Sequence, residues 1–307
     1  MKQFRVVAET DRNYPMGLTI DGKRIHVSVK WPGSACSLVL TEEQGETAVF
    51  EMAPELRQGD VWNLTLETDR QIKGCFVYGF QTEQGWLPDP YGKVFRGREI
   101  WGAETGFKRK LETVAGQTVF EWGEDKRPQI PYEDCVIYKA HVRGFTKHPS
   151  SRVRDRGTFR AVMEKIPYMK ELGVTTLELM PVMEFNEVRE ETEVRMVKLP
   201  VENQPPKLNY WGYGDSFLFA PKASYSSGRR KRPDTELKTL VRELHKNNME
   251  LVLELYASFK PAYSITVPSK KITNSMIIST IFRSVPCIRS RIAVTVACPL
   301  PSINKEA

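Results

Sequence analysis

The feature that most constrains the fold of this chain is an alternation of apolar runs and helical patterns between residues 135 and 256. Three apolar runs are separated by two helical patterns, in the order 136–142, 159–172, 177–182, 237–244 and 249–256. Helices that connect successive strands return the chain to a neighbouring parallel strand. The alternation therefore predicts a parallel sheet, which is either the opening of a β/α barrel or a doubly wound fold. Spacing alone does not choose between these two folds.

The first helical pattern has one apolar stripe, formed by Phe159, Val162, Met163, Ile166, Met169 and Leu172. Thr158 is the expected N-cap, and Gly173 stands where a residue in the left-handed conformation commonly ends a helix. Pro167 lies inside the run, and we expect it to kink the helix because it lacks an amide donor.

The second helical pattern carries a stripe formed by Leu237, Leu240, Val241 and Leu244. Asp234 or Thr235 can cap its N-terminus, since both side chains accept hydrogen bonds from free backbone amides. We expect this helix to end near Asn247 and Asn248, before the third apolar run begins.

Residues 1–110 have the pattern of antiparallel β-structure. Five short apolar runs are separated by turn signals that contain Gly, Pro or Asp, and they occupy residues 23–30, 37–40, 48–52, 61–67 and 73–80. Strands at this spacing are typical of a β-sandwich. The charged segment 111–134 ends in two prolines and is expected to be a linker. The predicted fold class is a β-sandwich followed by a parallel β/α part.

Four sequence blocks in the β/α part occur in a fixed order, at residues 138–146 (YKAHVRGFT), 165–174 (KIPYMKELGV), 178–185 (ELMPVMEF) and 209–221 (NYWGYGDSFLFAP). Each block is weak alone, but their order is hard to meet by chance. Together they resemble the first strand, the first helix, the second strand and the active-site loop of the α-amylase superfamily's catalytic barrel. The resemblance is to its debranching branch of pullulanases, isoamylases and glycogen debranching enzymes. It implies that residues 135–257 are the first three strands of a (β/α)8 TIM barrel.

The resemblance also covers the N-terminal part of the chain. It implies that residues 1–110 form an immunoglobulin-like module of the kind often grouped with glycogen-binding modules. Residues 86–92 are similar to the family's Asp-Pro-Tyr segment, which leads out of this module. Four tryptophans could stack on a sugar ring, but we expect core or interdomain packing for most of them, because Trp is highly buried on average: Trp31, Trp62, Trp86 and Trp101.

The aromatic loop supplies the candidate substrate-binding residues. By its match to the family's Trp-Gly-Tyr sequence, Tyr213 corresponds to the tyrosine that stacks on the sugar next to the scissile bond. Trp211 and Tyr210 lie in the same loop and complete the expected substrate-binding set, although ordinary packing is the favoured interpretation of Tyr210. His141 is expected to be a hydrogen-bonded structural residue rather than a catalyst.

No catalytic residue is assigned in this chain. Retaining glycosidases need two carboxyl groups about 5–5.5 Å apart. The resembled family takes them from the fourth and fifth barrel strands, and this chain offers three. At the third strand the sequence departs from the family, because Glu254 stands at the usual Asp, and Ser258 and Phe259 stand at the usual Asn and His.

Composition argues against several other classes of function. The net charge is +7, but residues 258–307 contain seven basic residues and one acidic residue, so the rest of the chain is nearly neutral. A nucleic-acid partner therefore has little support. No apolar run approaches the ~18 residues of a membrane helix, so no membrane partner is expected.

The titratable and thiol residues indicate neither metal nor cofactor. Only four histidines are present, and the five cysteines form no CxxC pair or His/Cys cluster, so no metal and no cofactor is expected. Cysteines without a pairing pattern fit a reducing compartment, and residues 1–5 lead into charged sequence rather than an apolar signal core. We therefore expect a cytoplasmic location.

The tail at residues 258–307 differs in composition from everything before it. It contains no Gly, Asp, Gln or Trp, but eight Ser and eight Ile, and has little turn chemistry with which to fold. It is either the divergent end of a genuine short protein or out-of-frame translation in a longer gene. We favour the second, because the change is abrupt and falls inside a domain. We expect the tail to be disordered and without strand partners, which leaves the third strand as an unpaired edge.

The sequence is thus interpreted as an N-terminal fragment of an α-glucan debranching glycoside hydrolase that is inactive by itself. In the complete enzyme the resemblance implies hydrolysis of α-1,6 linkages in glycogen, starch or pullulan, with α-glucan polysaccharide as the partner. The alternative is a non-catalytic α-glucan-binding protein. Co-sedimentation with glycogen discriminates the two, because a fragment without a selected function should bind weakly.

Overall fold

The computed structural model describes residues 4–7, 15–42, 45–103, 111–116, 120–187, 208–214, 216–228, 232–257 and 294–296. At residues 256–257 and 294–296 it describes the backbone alone. None of the described helices is both long enough and apolar enough to span a membrane.

The N-terminal part consists of two antiparallel sheets. Four strands form the first sheet in the order β1-β6-β3-β2: β1 (Arg5–Val7), β2 (Gly17–Asp21), β3 (Arg24–Lys30) and β6 (Val61–Glu67). Six strands form the second: β4 (Cys36–Glu42), β5 (Thr47–Glu51), β7 (Cys75–Thr82), β8 (Gly85–Leu87), β9 (Phe95–Arg96) and β10 (Glu112–Gly116). Its order is β5-β4-β7-β10-β9, and β8 pairs with β7.

One apolar core lies between these sheets, as alternating strand residues turn the same face inward. The core includes Ile25, Val27, Leu38, Leu40, Trp62, Leu64, Leu66, Phe76, Tyr78 and Phe80. The five predicted strands are confirmed as β3 to β7. The sequence did not indicate β1, β2, β8, β9 and β10, most of which are too short to show a period.

Three parallel strands form the sheet of the second part, in the order β11-β12-β15. They are β11 (Ile137–Ala140), β12 (Thr176–Leu179) and β15 (Glu250–Leu253). The described part of this region also contains four helices: α1 (Val142–Lys147), α2 (Phe159–Met163), α3 (Ile166–Glu171) and α4 (Pro233–Lys246). An antiparallel pair, β13 (Met183–Phe185) and β14 (Ser216–Pro221), lies between β12 and α4 in the chain.

The first predicted helix is divided into α2 and α3 rather than kinked. Thr158 caps α2 as predicted, because its side chain accepts a hydrogen bond from the Ala161 amide at 3.3 Å. Pro167 lies in the first turn of α3, where its missing amide costs nothing. Gly173 has the predicted positive φ of 75°. Leu172, however, is 51% exposed, so its assignment to the apolar stripe was wrong.

The second predicted helix is α4, and its apolar stripe is buried as expected. Its N-terminal boundary differs from the prediction. The N-cap is Arg232 and the first helical residue is Pro233, so neither Asp234 nor Thr235 is the cap. The fixed φ of proline suits the first helical position, so the helix begins at Pro233, earlier in the chain than predicted.

The two faces of the parallel sheet differ in chemistry, because side chains alternate along each strand. Leu177, Leu179, Leu251 and Leu253 belong to the core that contains the buried faces of α2, α3 and α4. The opposite face carries Lys139, Glu178 and Val252, which stand in register across the three strands. Charged side chains therefore collect on the face that the helices do not cover.

Residues 120–127 contact α4 and β15. Asp125 Oδ2 lies 2.9 Å from His245 Nδ1, and Arg242 donates to the Glu121 carbonyl at 2.8 Å. Arg127 Nε lies 3.4 Å from the buried carboxylate of Glu250. These contacts attach the segment before β11 to the last helix and strand of the β/α part.

The end of the described chain departs from expectation. β16 (Leu255–Ala257) continues from β15, and it pairs in parallel with β17 (Val294–Val296). The expectation that the tail has no strand partner was therefore wrong for residues 294–296, whose β-branched residues favour a strand. For the same reason the third strand is not wholly unpaired. The remainder of the tail lies outside the described residues.

Candidate functional site

The loop 208–214 forms a tight turn that one asparagine stabilises. Asn209 Nδ2 donates to the Tyr213 carbonyl at 2.9 Å, and its Oδ1 accepts from the Gly212 amide at 3.2 Å. Gly212 has a φ of +79° and lies against the ring of Phe185, which is fully buried. A side chain at this position would meet both a strained backbone and an occupied space.

His141, which follows β11, holds Tyr210 in this loop. The Gly144 amide donates to His141 Nδ1 at 2.9 Å, so Nε2 carries the proton and donates to the Tyr210 carbonyl at 2.8 Å. The imidazole and the Tyr210 ring stack at 4.6 Å. Burial lowers the pKa of His141, which favours this neutral form. The expected structural, hydrogen-bonded role of His141 is confirmed.

The segment that leaves the two-sheet part supports the same loop. The Trp101 ring stacks on the buried Tyr225 ring at 5.6 Å and meets the Tyr210 ring edge-on at 6.0 Å. The guanidinium of Arg143 lies 4.9 Å from the centre of the Trp101 ring. Packing, as expected, accounts for Trp101 and for Trp62, which is in the sandwich core.

A buried ionic cluster lies behind the loop. The ammonium of Lys222 is 2.7 Å from Glu184 Oε1 and 2.8 Å from Glu187 Oε1, and all three side chains are buried. Ser224 Oγ also donates to Glu187, at 2.8 Å. Desolvating charges is costly, and close pairing with further hydrogen bonds offsets that cost.

The same cluster joins three separate segments. The Gly102 amide donates to Glu187 Oε2, and Arg98 Nη1 lies 3.9 Å from Glu184 Oε1, so the exit segment of the two-sheet part reaches both carboxylates. The backbone carbonyl of Glu187 accepts from the amide of Asn209, the residue that shapes the aromatic turn. The aromatic loop is therefore tied to both parts of the chain.

A second ionic cluster faces the side of the sheet without helices. Tyr213 donates its hydroxyl to Glu254 Oε1 at 2.9 Å. The ammonium of Lys139 lies 2.9 Å from Glu254 Oε2 and 3.1 Å from Glu178 Oε1. Burial, followed by the hydrogen bond to Glu254, raises the pKa of Tyr213. The nearby carboxylate of Glu254, and to a lesser extent that of Glu178, raises the pKa of Lys139.

The three predicted site residues have different environments. Trp211 is 53% exposed, Tyr210 is half-buried on His141, and Tyr213 is half-buried with its hydroxyl on Glu254. The sequence indicated Glu254 only as a departure from the family and did not single out Lys139 or Glu178. Side chains alternate between the two faces of a strand, so the positions of Lys139, Glu178 and Glu254 in the three predicted strands could have placed them on one face.

The described residues contain no group of three or more His, Cys, Asp or Glu side chains that could hold a metal ion. Near the Tyr213 hydroxyl, the described residues place two carboxylates and one ammonium. Such groups can hydrogen-bond a neutral polar ligand, and an aromatic ring can cover its apolar face.

No family model matches the chain. It is 30% identical over 270 residues to isoamylase 1, chloroplastic, of Oryza sativa subsp. japonica. The aligned residues are 78% of this chain and 32% of the relative. It is 31% identical over 275 residues to the glycogen operon protein GlgX homolog of Mycobacterium tuberculosis, covering 79% and 36%. This chain belongs to the debranching branch of the α-amylase family. It spans about a third of the length of these curated relatives.

Solved structures of the debranching branch have a similar fold. Pullulanase type I from Bacillus subtilis, complexed with maltose, matches with a TM-score of 0.59 and 24% identity over 80% of this chain and 33% of that one. A pullulanase mutant from Paenibacillus barengoltzii, complexed with maltotriose, matches with a TM-score of 0.59 and 23% identity over 79% and 38%. The likeness supports the β-rich fold of the N-terminal part.

Proposed function

We propose that this chain is the N-terminal part of an α-glucan debranching hydrolase, and that its aromatic loop contacts the glucan. The curated relatives are named as isoamylases, a glycogen operon protein and a glycogen debranching enzyme. In the complete enzyme the reaction is hydrolysis of α-1,6 branch linkages in glycogen, starch or pullulan. Three cysteines among the described residues are free thiols, as is usual in a reducing compartment, and they support a cytoplasmic location: Cys36, Cys75 and Cys135.

We also propose the finer architecture. Residues 1–110 are an immunoglobulin-like module, residues 111–134 a linker and residues 135–257 the first three strands of a (β/α)8 barrel. Residues 258–307 are an out-of-frame or disordered tail. Two antiparallel sheets around one core support the first assignment, and three parallel strands in register support the third.

One observation carries the proposal of glucan contact. Tyr213 is held by Glu254, which directly follows β15, so the phenol ring lies at the carboxyl end of a parallel strand. Ligands of β/α folds bind at that end of the sheet. The turn is already formed by Asn209 and His141, so a sugar would meet a prearranged aromatic surface of Tyr213 and Trp211. Tyr210 contributes through packing.

The described carboxylates do not suit hydrolysis by themselves. Glu178 and Glu254 share one ammonium, that of Lys139, which lies 3.1 Å from Glu178 and 2.9 Å from Glu254. A retaining pair needs an open gap for the sugar and one carboxyl group that can donate a proton. The catalytic carboxylates of the complete enzyme therefore belong to further strands, and no residue of this chain is assigned as catalytic.

Maltotriose titration followed by NMR tests the glucan contact. We expect weak, millimolar binding to residues 1–307, because only part of a substrate cleft is present. Tyr213→Ala should abolish it, whereas Tyr168→Ala, at a partly exposed tyrosine on α3, should leave it unchanged. Equal loss in both variants, or no effect of Tyr213→Ala on measurable binding, would contradict the proposal.

The second candidate, a non-catalytic α-glucan-binding protein, is favoured by the pairing of Lys139 with both Glu178 and Glu254, which leaves the carboxylates near Tyr213 neutralised. Co-sedimentation with glycogen separates it from the first. Retention at micromolar protein would favour the binding protein, since millimolar affinity gives no retention there. Reading the gene beyond codon 256 in all three frames is a test that does not depend on binding. Family barrel motifs in another frame would support a fragment that ends in a frameshift, and their absence from all three frames would overturn the frameshift.

A further inference from the structure

Among the described residues, Lys139 is the cation that stands beside Glu178 and Glu254 on the face of the parallel sheet opposite the helices. It stands on β11 in register with Glu178 on β12 and Val252 on β15. Its ammonium reaches Glu178 at 3.1 Å and Glu254 at 2.9 Å. The Lys139 side chain therefore links two carboxylates from neighbouring strands, Glu178 in β12 and Glu254 directly after β15.

Glu254 depends on this cation more than Glu178 does. It is 3% exposed, and a buried carboxylate without a countercharge is strongly disfavoured. Its two oxygens are divided, since Oε2 meets Lys139 and Oε1 accepts the Tyr213 hydroxyl. The position of the first oxygen fixes the direction in which the second one points.

We propose that Lys139 is a positioning residue that fixes the orientation of the Tyr213 ring through Glu254. Its relevance to sugar binding rests on the proposed function, in which Tyr213 contacts an α-glucan. Without the ammonium, Glu254 and Glu178 face each other, and Glu254 turns towards water or another donor. The Tyr213 hydroxyl then loses the Glu254 acceptor. The ring gains rotamers, and a bound sugar has to select one of them at a cost in affinity.

The test uses residues 1–307 with 3-fluorotyrosine incorporated at position 213, observed by 19F NMR. Lys139→Met should move or broaden the 213 resonance and weaken maltotriose binding about tenfold. Lys139→Arg, which can still bridge two carboxylates, should restore the wild-type signal. Lys147→Met, at an exposed lysine of α1, is the matched control and should change neither readout.

A double-mutant cycle distinguishes positioning from a general loss of structure. Glu254→Gln keeps an acceptor for the Tyr213 hydroxyl but needs no countercharge, so adding Lys139→Met to it should cause little further change in the 213 signal. The comparison of Glu254→Gln with the double variant that also carries Lys139→Met remains possible if Lys139→Met alone does not fold. An unchanged 213 signal in folded Lys139→Met, or an equally large change in the Glu254→Gln background, would overturn the proposal.

The two proposals can fail separately. If the 213 signal follows the expected pattern while maltotriose binds to no variant, the positioning role of Lys139 is supported and the proposed glucan contact is refuted. If maltotriose binds to wild type and to folded Lys139→Met with equal affinity and an unchanged 213 signal, the glucan contact stands and the role of Lys139 is refuted.

Discussion

Replacing Gly212 by Ala tests whether the aromatic turn is as tightly built as its geometry indicates. A Cβ atom here would lie 2.6 Å from Phe185 Cε1 and 3.0 Å from Cδ1, far inside van der Waals contact. Phe185 cannot move away easily, because it is fully buried and its ring meets Trp101 and the ammonium of Lys222. The backbone φ of +79° adds a second penalty for any residue with a side chain.

The two penalties have different sizes and can be separated by a control. A left-handed φ costs an L-residue about 1–2 kcal/mol, and overpacking a core costs about 1–3 kcal/mol more. Gly212→Ala should therefore lower the free energy of unfolding by about 2–5 kcal/mol. Gly173→Ala is the control, because its φ is +75° but nothing lies within 4 Å of the added carbon. It should lose about 1–2 kcal/mol.

Urea unfolding of the 307-residue chain, followed by tryptophan fluorescence and far-ultraviolet circular dichroism, gives both values. The difference between the variants measures the clash with Phe185, and we expect about 1–3 kcal/mol. The maltotriose titration should also lose its signal in Gly212→Ala and keep it in Gly173→Ala. Equal destabilisation by the two substitutions would refute the argument, since it would mean that the Gly212 turn has free space around it.

Three further predictions concern the ionic clusters, the module and activity. Lys222→Met removes the ammonium that bridges the two buried carboxylates and should lower the free energy of unfolding in urea by about 3–5 kcal/mol. Lys246→Met, at an exposed ion pair, should cost less than about 1 kcal/mol. Similar losses in the two variants would contradict a buried cluster. Burial raises the pKa of Asp89 to about 6 from 3.8, so the folded state holds the proton more tightly. Its contribution to stability should rise as pH falls from 7 to 4, and Asp89→Asn should remove that rise in urea midpoints measured across this range. Residues 1–307 should release no reducing sugar from pullulan or glycogen above a heat-killed control, and release abolished by Tyr213→Ala would show a catalytic site.

The strands and helices with a clear period were determined by the sequence alone. Apolar residues alternate in β3 and recur at helical spacing in α4, because burial of one face imposes that order on any chain. The loop 209–213 could also be selected from sequence, since its resemblance to a family motif does not depend on contacts. His141 was also correctly expected to make structural hydrogen bonds, from its position at the end of the first predicted strand.

The connections between distant residues were decided only by the tertiary structure. Lys139, Glu178 and Glu254 are separated by dozens of residues and meet because three parallel strands pair in one register. Lys222 looks like any surface lysine in the sequence, and it is fully buried because Glu184 and Glu187 neutralise it. Local periodicity reports which face of an element is apolar, but the energy of a charged side chain depends on the partners that folding brings to it.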